Sequence, residues 1–326
     1  MEKSVPIPPA LAREAENMPP QQDGVLVLNK PGGMSSAACI GIIKRRMGQK
    51  KIGPAGTLDP MATGVLLVLL GQATKISGHL MDDGDKIYSG IIRLGVVTDT
   101  WDAEGQVMET APVTGVDNAS VCEAMQSLTG EYEQEVPAYS AAKHQGKPLY
   151  ALARKGEDVP VKTKRIRISR GEAELVGPER VRFRVTCSSG TYIRSLAHSL
   201  GKRLGCGAML EELTREYSHP FGIDVAHDFD DVLQDAGGFA SRVAGIAQAL
   251  PAWPRLSLTR EEADMVRNGG QLAWASRPLP GVLFSPGQKA LMLSAEGKAL
   301  ALATSAMGGK LKSDAVWAIT RGLWNS

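Results

Sequence analysis

The apolar positions of the N-terminal half of the chain predict a buried sheet with a helix against it. Continuous apolar stretches at residues 25–28 and 65–70 are typical of short buried strands, and we predict these over 25–29 and 65–70. Residues 35–47 have the apolar spacing of a helix, and Ser35 or Ser36 is a suitable N-cap. Residues 86–94 predict a further strand, because turn-forming residues bound them on both sides.

Further along the chain the same patterns predict two more amphipathic elements and a half-buried strand. Residues 72–80 predict a short helix, and residues 117–128 predict an amphipathic helix capped by Asp117. Apolar and basic residues alternate over 181–186, which indicates a strand with one buried face and one basic face. A turn at residues 188–191 leads into a helix predicted from about 192 to 204.

The C-terminal quarter has a different pattern and predicts a second domain. We place the boundary at the Pro-rich residues 250–254, so that a larger domain covers 24–250 and a small β-rich domain covers 251–326. Its apolar runs at 281–284, 290–293 and 299–302 are separated by Gly and polar residues. Residues 1–23 are rich in Pro and polar residues, which predicts a flexible tail and not a signal peptide.

Composition narrows the class of protein. The 326 residues carry a net charge of only +2, and no stretch approaches the roughly 18 apolar residues of a membrane span, so we expect no membrane association. The four cysteines form no C-x-x-C pair, which argues against a zinc site or a disulfide framework and fits the cytoplasm. Basic residues nevertheless outnumber acidic ones between residues 143 and 215. Such a concentration suits a polyanion, although a solvated charged face has the same signature.

The candidate for chemistry is Asp59, within the small and turn-forming residues 53–64. A carboxylate on a Gly- and Pro-shaped loop that leads into a buried strand suits a nucleophile or a general base. An isolated Asp-Pro would more often cap a local turn. Residues 134–162, which mix Pro, Gly, Tyr, Lys and His, indicate a functional insertion.

Several ordered segments resemble the TruB family of tRNA pseudouridine synthases, from about residue 24 to 225. The segments with this resemblance are VLVLNKPGGMSS at 25–36, GTLDPMATG at 56–64, KIY, RLG, TDT and DAEG within 86–105, VPAYSAAK and GKPLY within 136–150, CSSGTYIR at 187–194, and LGCGA at 204–208. Their common order and spacing are far more specific than any single segment.

The resemblance implies an α+β fold with a mixed, largely antiparallel central sheet flanked by helices, and a C-terminal PUA-like RNA-binding domain. It also implies an isomerase that acts without cofactor or metal on uridine 55 in the T-loop of tRNA. We expect a monomer without an obligate protein partner. The alternatives are a non-catalytic RNA-binding or tRNA-folding protein on the same scaffold and a guide-RNA-dependent relative.

The resemblance also assigns residues. Asp59 is the catalytic carboxylate, as nucleophile on the ribose or the base or as the base that removes a sugar proton. Arg194 pairs with it, since a guanidinium orients a carboxylate. Tyr88 stacks on the flipped-out uracil, and Tyr192 and Leu213 line the uracil pocket.

The expected RNA contacts surround this centre. Lys30 is assigned to substrate binding, and Lys143, His144, Lys147 and Tyr150 lie in the insertion that grips RNA. Basic residues that extend the same electrostatic surface are Lys162, Lys164, Arg165, Arg167 and Arg170. One position departs from the bacterial family, in which a histidine commonly stands five residues before the catalytic Asp. Here that residue is Pro54, which can neither donate a hydrogen bond nor stack as an imidazole does.

Overall fold

The computed structural model describes residues 19–281, 283–308 and 314–324, which form one large sheet, a smaller C-terminal sheet and flanking helices. The strands are β1 (Gly24–Lys30), β2 (Ile52–Pro54), β3 (Thr63–Leu70), β4 (Lys86–Leu94), β5 (Val96–Thr98), β6 (Val107–Thr110), β7 (Gly130–Glu135), β8 (Lys143–His144), β9 (Lys147–Pro148), β10 (Thr163–Gly177), β11 (Arg180–Cys187), β12 (Ala208–Ser218), β13 (Phe221–Gly222), β14 (His227–Asp228), β15 (Val243–Ala244), β16 (Arg255–Ser257), β17 (Leu272–Ala273), β18 (Lys289–Leu293), β19 (Ala299–Met307) and β20 (Ala315–Gly322). The α-helices are α1 (Ser36–Arg46), α2 (Ser77–Asp82), α3 (Asn118–Gln126), α4 (Leu149–Ala153), α5 (Ile193–Arg203), α6 (Phe229–Gln234), α7 (Ile246–Ala249) and α8 (Arg260–Arg267).

The large sheet is mixed and largely antiparallel, as the sequence predicted. Its strand order is β14-β1-β3-β12-β4-β11-β10-β7, with β2, β13 and β15 paired at its margins. Among the described strands of this sheet, only the β1–β14 and β3–β12 pairings run parallel. The C-terminal sheet has the order β16-β18-β19-β20-β17, which agrees with the expected small β-rich unit.

Strands β1 and β3 carry continuous apolar runs, at residues 25–28 and 65–70, because both of their faces are covered there. Leu26 and Leu28 point into a core shared with α1, α3 and α5. Val25 and Val27 point into the opposite core, which includes Leu291 of the C-terminal sheet. Successive side chains of a strand face opposite sides, so only a continuous apolar run satisfies this arrangement.

Two predicted helices have the bounds and caps that their sequences suggested. The Ser35 hydroxyl accepts a hydrogen bond from the Ala38 amide and begins α1. Asp117 accepts from the Ser120 amide and begins α3. The single helix predicted over 72–80 was wrong in form: a 3₁₀ helix at Gly71–Ile76 precedes α2. Such tight turns are common beside short α-helices.

Two long strands were missed because their sequences are polar. β12 lies between β3 and β4 in the centre of the sheet although it contains Glu211, Glu212, Thr214 and Arg215. β10 carries exposed basic residues over much of its length. Conversely, no strand forms at Leu283 and Phe284, within one of the predicted apolar runs.

Most of the predicted N-terminal tail lies outside the described residues, but its last residues contact the core domain. The Gln21 side chain donates to the Gly48 carbonyl and accepts from the Lys50 amide. The Asp23 carboxylate accepts from the Gln72 amide at 2.7 Å. The chain is therefore anchored beside α1 before β1 begins.

Candidate active site

The Asp59 loop joins β2 to β3 and is held at its centre from α1. The buried Ser36 hydroxyl accepts from the Leu58 amide at 2.9 Å and lies 3.0 Å from the Leu58 carbonyl oxygen. Gly64 ends the loop at φ +95°, against the backbone of Arg215, where a β-carbon would collide. A glycine is needed for this conformation and this close approach. Asp59 is therefore presented by a loop that is fixed on both sides.

Lys30 holds the same loop from beneath. Its ammonium group is fully buried and donates to three carbonyl oxygens, of Pro31 at 2.6 Å, Met34 at 2.6 Å and Pro60 at 3.1 Å. Burial lowers the pKa of this lysine. Because its three donors are used within the protein, its placement favours a positioning role and not the substrate contact that the resemblance implied.

Arg194 binds both oxygens of the Asp59 carboxylate. Its Nη2 lies 3.1 Å from Oδ1 and its Nε lies 3.0 Å from Oδ2. The Arg194 side chain is buried, whereas the Asp59 side chain is 37% exposed. A two-point contact of this kind fixes the plane of the carboxylate. The predicted pair thus presents an oriented carboxylate at an accessible surface.

A second carboxylate, Asp102, supports Arg194 from the interior and was not assigned from the sequence. Its Oδ2 lies 3.5 Å from the Arg194 Nε, and its Oδ1 accepts from the Thr100 hydroxyl at 2.6 Å and the Glu104 amide at 3.0 Å. Burial raises the pKa of Asp102, while the bond from Thr100 and the charge of Arg194 oppose this rise. The sequence contained a signal for this residue, because Asp102 begins the DAEG segment, one of the segments that carry the family resemblance.

The turn before Asp102 is clamped to the helix that carries Arg194. Trp101 has a φ of 63°, in the left-handed region that a bulky residue rarely adopts. Its ring stacks on His198, which follows Arg194 by four residues on α5, with centroids 4.3 Å apart and planes inclined by 6°. Burial lowers the pKa of His198 to about 4, so its ring is neutral at pH 7.

Tyr88 projects from β4 into the same region. It is almost fully buried, and its hydroxyl lies 3.5 Å from the Nη1 of Arg215, the residue opposite it on β12. Burial raises the pKa of the Tyr88 phenol, and the Arg215 charge acts against this rise. Arg215 also donates to the Val65 carbonyl at 2.7 Å and reaches the Thr57 carbonyl of the Asp59 loop at 3.4 Å. It is a buried member of the site that sequence reasoning missed.

Leu213 and Tyr192, the residues predicted to line the uracil pocket, lie on β12 and just before α5. Leu213 lies two residues before Arg215 on β12, so it shares a sheet face with Arg215, and it is part of the same buried cluster as Tyr88. Tyr192 immediately precedes α5 and packs against a small cluster that includes Leu149 and Leu152 of the insertion. Its backbone accepts from and donates to the side chain of Gln134.

The insertion is joined to the site at its base and is exposed at its tip. The Tyr139 carbonyl accepts from the Arg194 Nη2 at 3.1 Å. Lys143 and Lys147 are exposed on the two-stranded hairpin β8–β9. Tyr150 is also exposed, and the Arg154 guanidinium lies 5.5 Å above its ring. His144 stands opposite Lys147 on the hairpin and is only partly exposed. Three of these four predicted RNA-binding residues are therefore exposed, on the hairpin and in α4.

The predicted basic surface is partly neutralised by internal ion pairs. The pairs are Arg165 with Glu131, Arg167 with Asp85, and Arg170 with Glu172. The Lys162 ammonium donates to the Lys143 carbonyl. Lys143, Lys147 and Lys164 form no ion pair with any residue that the structure describes. Free charge is therefore concentrated in these lysines and not in the arginines of β10.

Pro54, at the position of the family's usual histidine, belongs to β2 and pairs with Val68 of β3. It is half-buried, five residues before Asp59.

Within residues 19–281, 283–308 and 314–324, no group of three or more His, Cys, Asp or Glu side chains could hold a metal ion. No helix in that same part of the chain is long and apolar enough to cross a membrane.

Solved structures share this fold. A chain of an H/ACA RNP bound to a substrate RNA containing 2'-deoxyuridine superimposes with a TM-score of 0.70 at 22% identity, covering 93% of this chain and 85% of that one. A chain of the archaeal box H/ACA sRNP Nop10-Cbf5 complex gives a TM-score of 0.68 at 21% identity, with 94% and 89% covered. These identities support the fold alone.

Sequence relatives are much closer. A model of the TruB family pseudouridylate synthase N-terminal domain matches residues 44–193. The tRNA pseudouridine synthase B of Nitratidesulfovibrio vulgaris strain Hildenborough is 57% identical over 94% of this chain and 100% of its own length. That of Oleidesulfovibrio alaskensis is 57% identical over 94% of this chain and 98% of its own. The chain belongs to the TruB family of pseudouridylate synthases.

Proposed function

We propose that this protein converts uridine 55 in the T-loop of tRNA to pseudouridine, with Asp59 as the catalytic carboxylate. The observation that carries the proposal is a partly exposed carboxylate held on both oxygens by the buried Arg194. The relatives named tRNA pseudouridine synthase B support the choice of tRNA as the substrate.

The chemistry is an isomerisation, so every atom of the substrate is kept. The N–C glycosidic bond breaks, the uracil rotates, and a C–C bond forms to the same ribose. No electrons are exchanged with another molecule, which is why the reaction needs no redox partner. Asp59 acts as the nucleophile on ribose or base, or removes a sugar proton. Arg194 keeps its carboxylate aimed at the substrate.

The target base must leave the loop of the RNA to reach Asp59. Tyr88 supplies a ring against which the flipped-out uracil stacks, and Leu213 and Tyr192 form the remaining walls of the pocket. Because Tyr192 is hydrogen-bonded to Gln134 and packs against Leu149 and Leu152, all within the insertion, movement of the insertion on RNA binding would also adjust this wall.

Binding energy comes from outside the pocket. Lys143, Lys147 and Tyr150 contact phosphates and bases from the insertion, which we assign to residues 134–162. Residues 24–250 form the catalytic domain and residues 251–326 a PUA-like RNA-binding domain. We further propose that the protein acts as a monomer in the cytoplasm, where its four free cysteines stay reduced.

The test is conversion of a T-stem-loop RNA by the wild type and by Asp59→Asn, with Asp230→Asn as an exposed control. We expect product with the wild type and the control, and none with Asp59→Asn although it still binds RNA. Retained turnover in Asp59→Asn would falsify the role of Asp59. Absence of product with the wild type on every tRNA would favour a non-catalytic RNA-binding protein.

A further inference from the structure

Two cations beneath the candidate active site have no acidic partner. Lys86 is 8% exposed and Arg215 is 1% exposed, and neither forms an ion pair with a described residue. The Nη2 of Arg215 has no hydrogen-bond partner at all among these residues. By contrast, the exposed Arg180, Arg182 and Arg184 on the outer face of β11 each pair with a glutamate. Positive charge is thus left uncompensated at these two buried side chains, although the buried Arg194 is paired with Asp59 and Asp102.

The position of Lys86 ties it to the reaction centre. It lies two residues before Tyr88 on β4, so both side chains point to the same face of the sheet. Its ammonium group lies 3.4 Å from the Ser189 hydroxyl. It also lies against Gly56 of the Asp59 loop, where a β-carbon would be 3.9 Å from Nζ. Asp59 follows Gly56 by three positions, which limits the distance between their Cα atoms to about 11 Å.

A third cation stands beside this group. The Lys164 ammonium lies against Gly190, the residue after Ser189. Burial and, to a smaller extent, the charges of Arg215 and Lys164 lower the pKa of Lys86 to about 8. The segment that carries Ser189 and Gly190 also leads into α5, so amide groups at the helix start add positive potential.

Uncompensated buried charge is costly, and an anionic ligand removes that cost. The substrate class of the proposed function carries one negative charge at every phosphate. Resting on that function, we propose that Lys86 and Lys164 form a subsite for one phosphate adjacent to the target uridine. Two ammonium groups suit the oxygens of a phosphate, and the subsite would fix the nucleotide whose base enters the Tyr88 pocket. The Ser189 hydroxyl donates to the Met81 carbonyl and accepts from Lys86, so it orients the Lys86 ammonium and does not itself donate to the phosphate.

Salt dependence of RNA binding tests this subsite. Dissociation constants of a fluorescein-labelled T-stem-loop RNA are measured against salt concentration for Lys86→Met, Lys164→Gln and the wild type. Arg182→Gln is the control, because it makes the same change in charge on the outer face of the sheet. We expect the slope of log K against log salt to fall by about 0.7 for each lost contact in the two lysine variants and not in the control.

Neutralising single phosphates identifies the partner. Methylphosphonates are placed in turn at the phosphates flanking the target uridine. We expect a methylphosphonate at one of these positions to weaken RNA binding by the wild type. The same methylphosphonate should cause no additional loss of affinity in Lys86→Met or Lys164→Gln. Should Lys86→Met not fold, the Lys164→Gln comparison is sufficient. Strictly additive losses at every position, or an unchanged salt slope in the lysine variants, would overturn the subsite. A wild type that makes no pseudouridine would instead refute the proposed function.

Discussion

Replacing Asp102 by Asn is the most direct test of how the Asp59 carboxylate is held. The substitution keeps the shape of the side chain and an oxygen that can accept from Thr100 and Glu104. It removes the negative charge and places an amide nitrogen where Oδ2 now lies, 3.5 Å from the Arg194 Nε. Two N–H groups then face each other, so Arg194 loses one of its two carboxylate partners.

The size of the effect follows from burial and distance. The Arg194 and Asp102 side chains are both almost fully buried, so solvent does not screen their interaction. The 3.5 Å separation is long for a charged hydrogen bond, and Arg194 keeps its contact with Asp59. We therefore expect a loss of about 2 kcal/mol, within the range of hydrogen bonds to charged groups. If that loss falls on the transition state, the rate of conversion drops about 30-fold.

The assay is single-turnover pseudouridine formation on a T-stem-loop RNA, with the dissociation constant measured separately. Asp264→Asn is the control, since its ion pair with Arg267 is exposed on α8 and contributes little. We expect a slower chemical step at unchanged affinity for Asp102→Asn, and a wild-type rate for the control. A chemical step within threefold of the wild type, or an effect confined to affinity, refutes the reasoning.

The remaining predictions concern the Trp101 clamp, the buried Lys86 and the Pro54 position. Trp101→Phe should keep the ring stacked on His198 and most of the single-turnover rate. Trp101→Gly should relax the backbone at this position but lower the single-turnover rate about tenfold, because the stack is lost. Equal rates for the two variants would contradict the role of the stack. The pKa of Lys86 falls from 10.5 to about 8, so the unfolded chain binds more protons between these values and the free energy of unfolding should rise with pH there. Lys86→Met should abolish that rise and stabilise the protein at pH 7 by on the order of 2 kcal/mol in chemical denaturation, whereas no gain at pH 7 would argue against a costly buried charge. Pro54→His should tighten RNA binding; unchanged affinity and turnover would mean that the proline does not weaken the hold on RNA.

The sequence predicted the loop, the strand and the helix start on which Asp59, Tyr88 and Arg194 stand. The family resemblance predicted that Arg194 pairs with Asp59, and the structure brings these two side chains into contact. Lys30 was assigned to the substrate, because nothing in its segment reveals that three carbonyl oxygens surround its ammonium group. Arg215 was missed for a related reason: in a polar strand an arginine is expected on the surface.

The order of residues along the chain was sufficient for the local elements, because apolar spacing and capping residues act over a few positions. It also located the Asp59 loop, whose Gly and Pro residues allow few conformations. Only the tertiary structure decided which charges meet. Asp102 reaches Arg194 from a different turn, and Arg215 comes from a central strand to touch both Tyr88 and the Asp59 loop. Such partners depend on strand order and burial, which bring together side chains far apart in sequence.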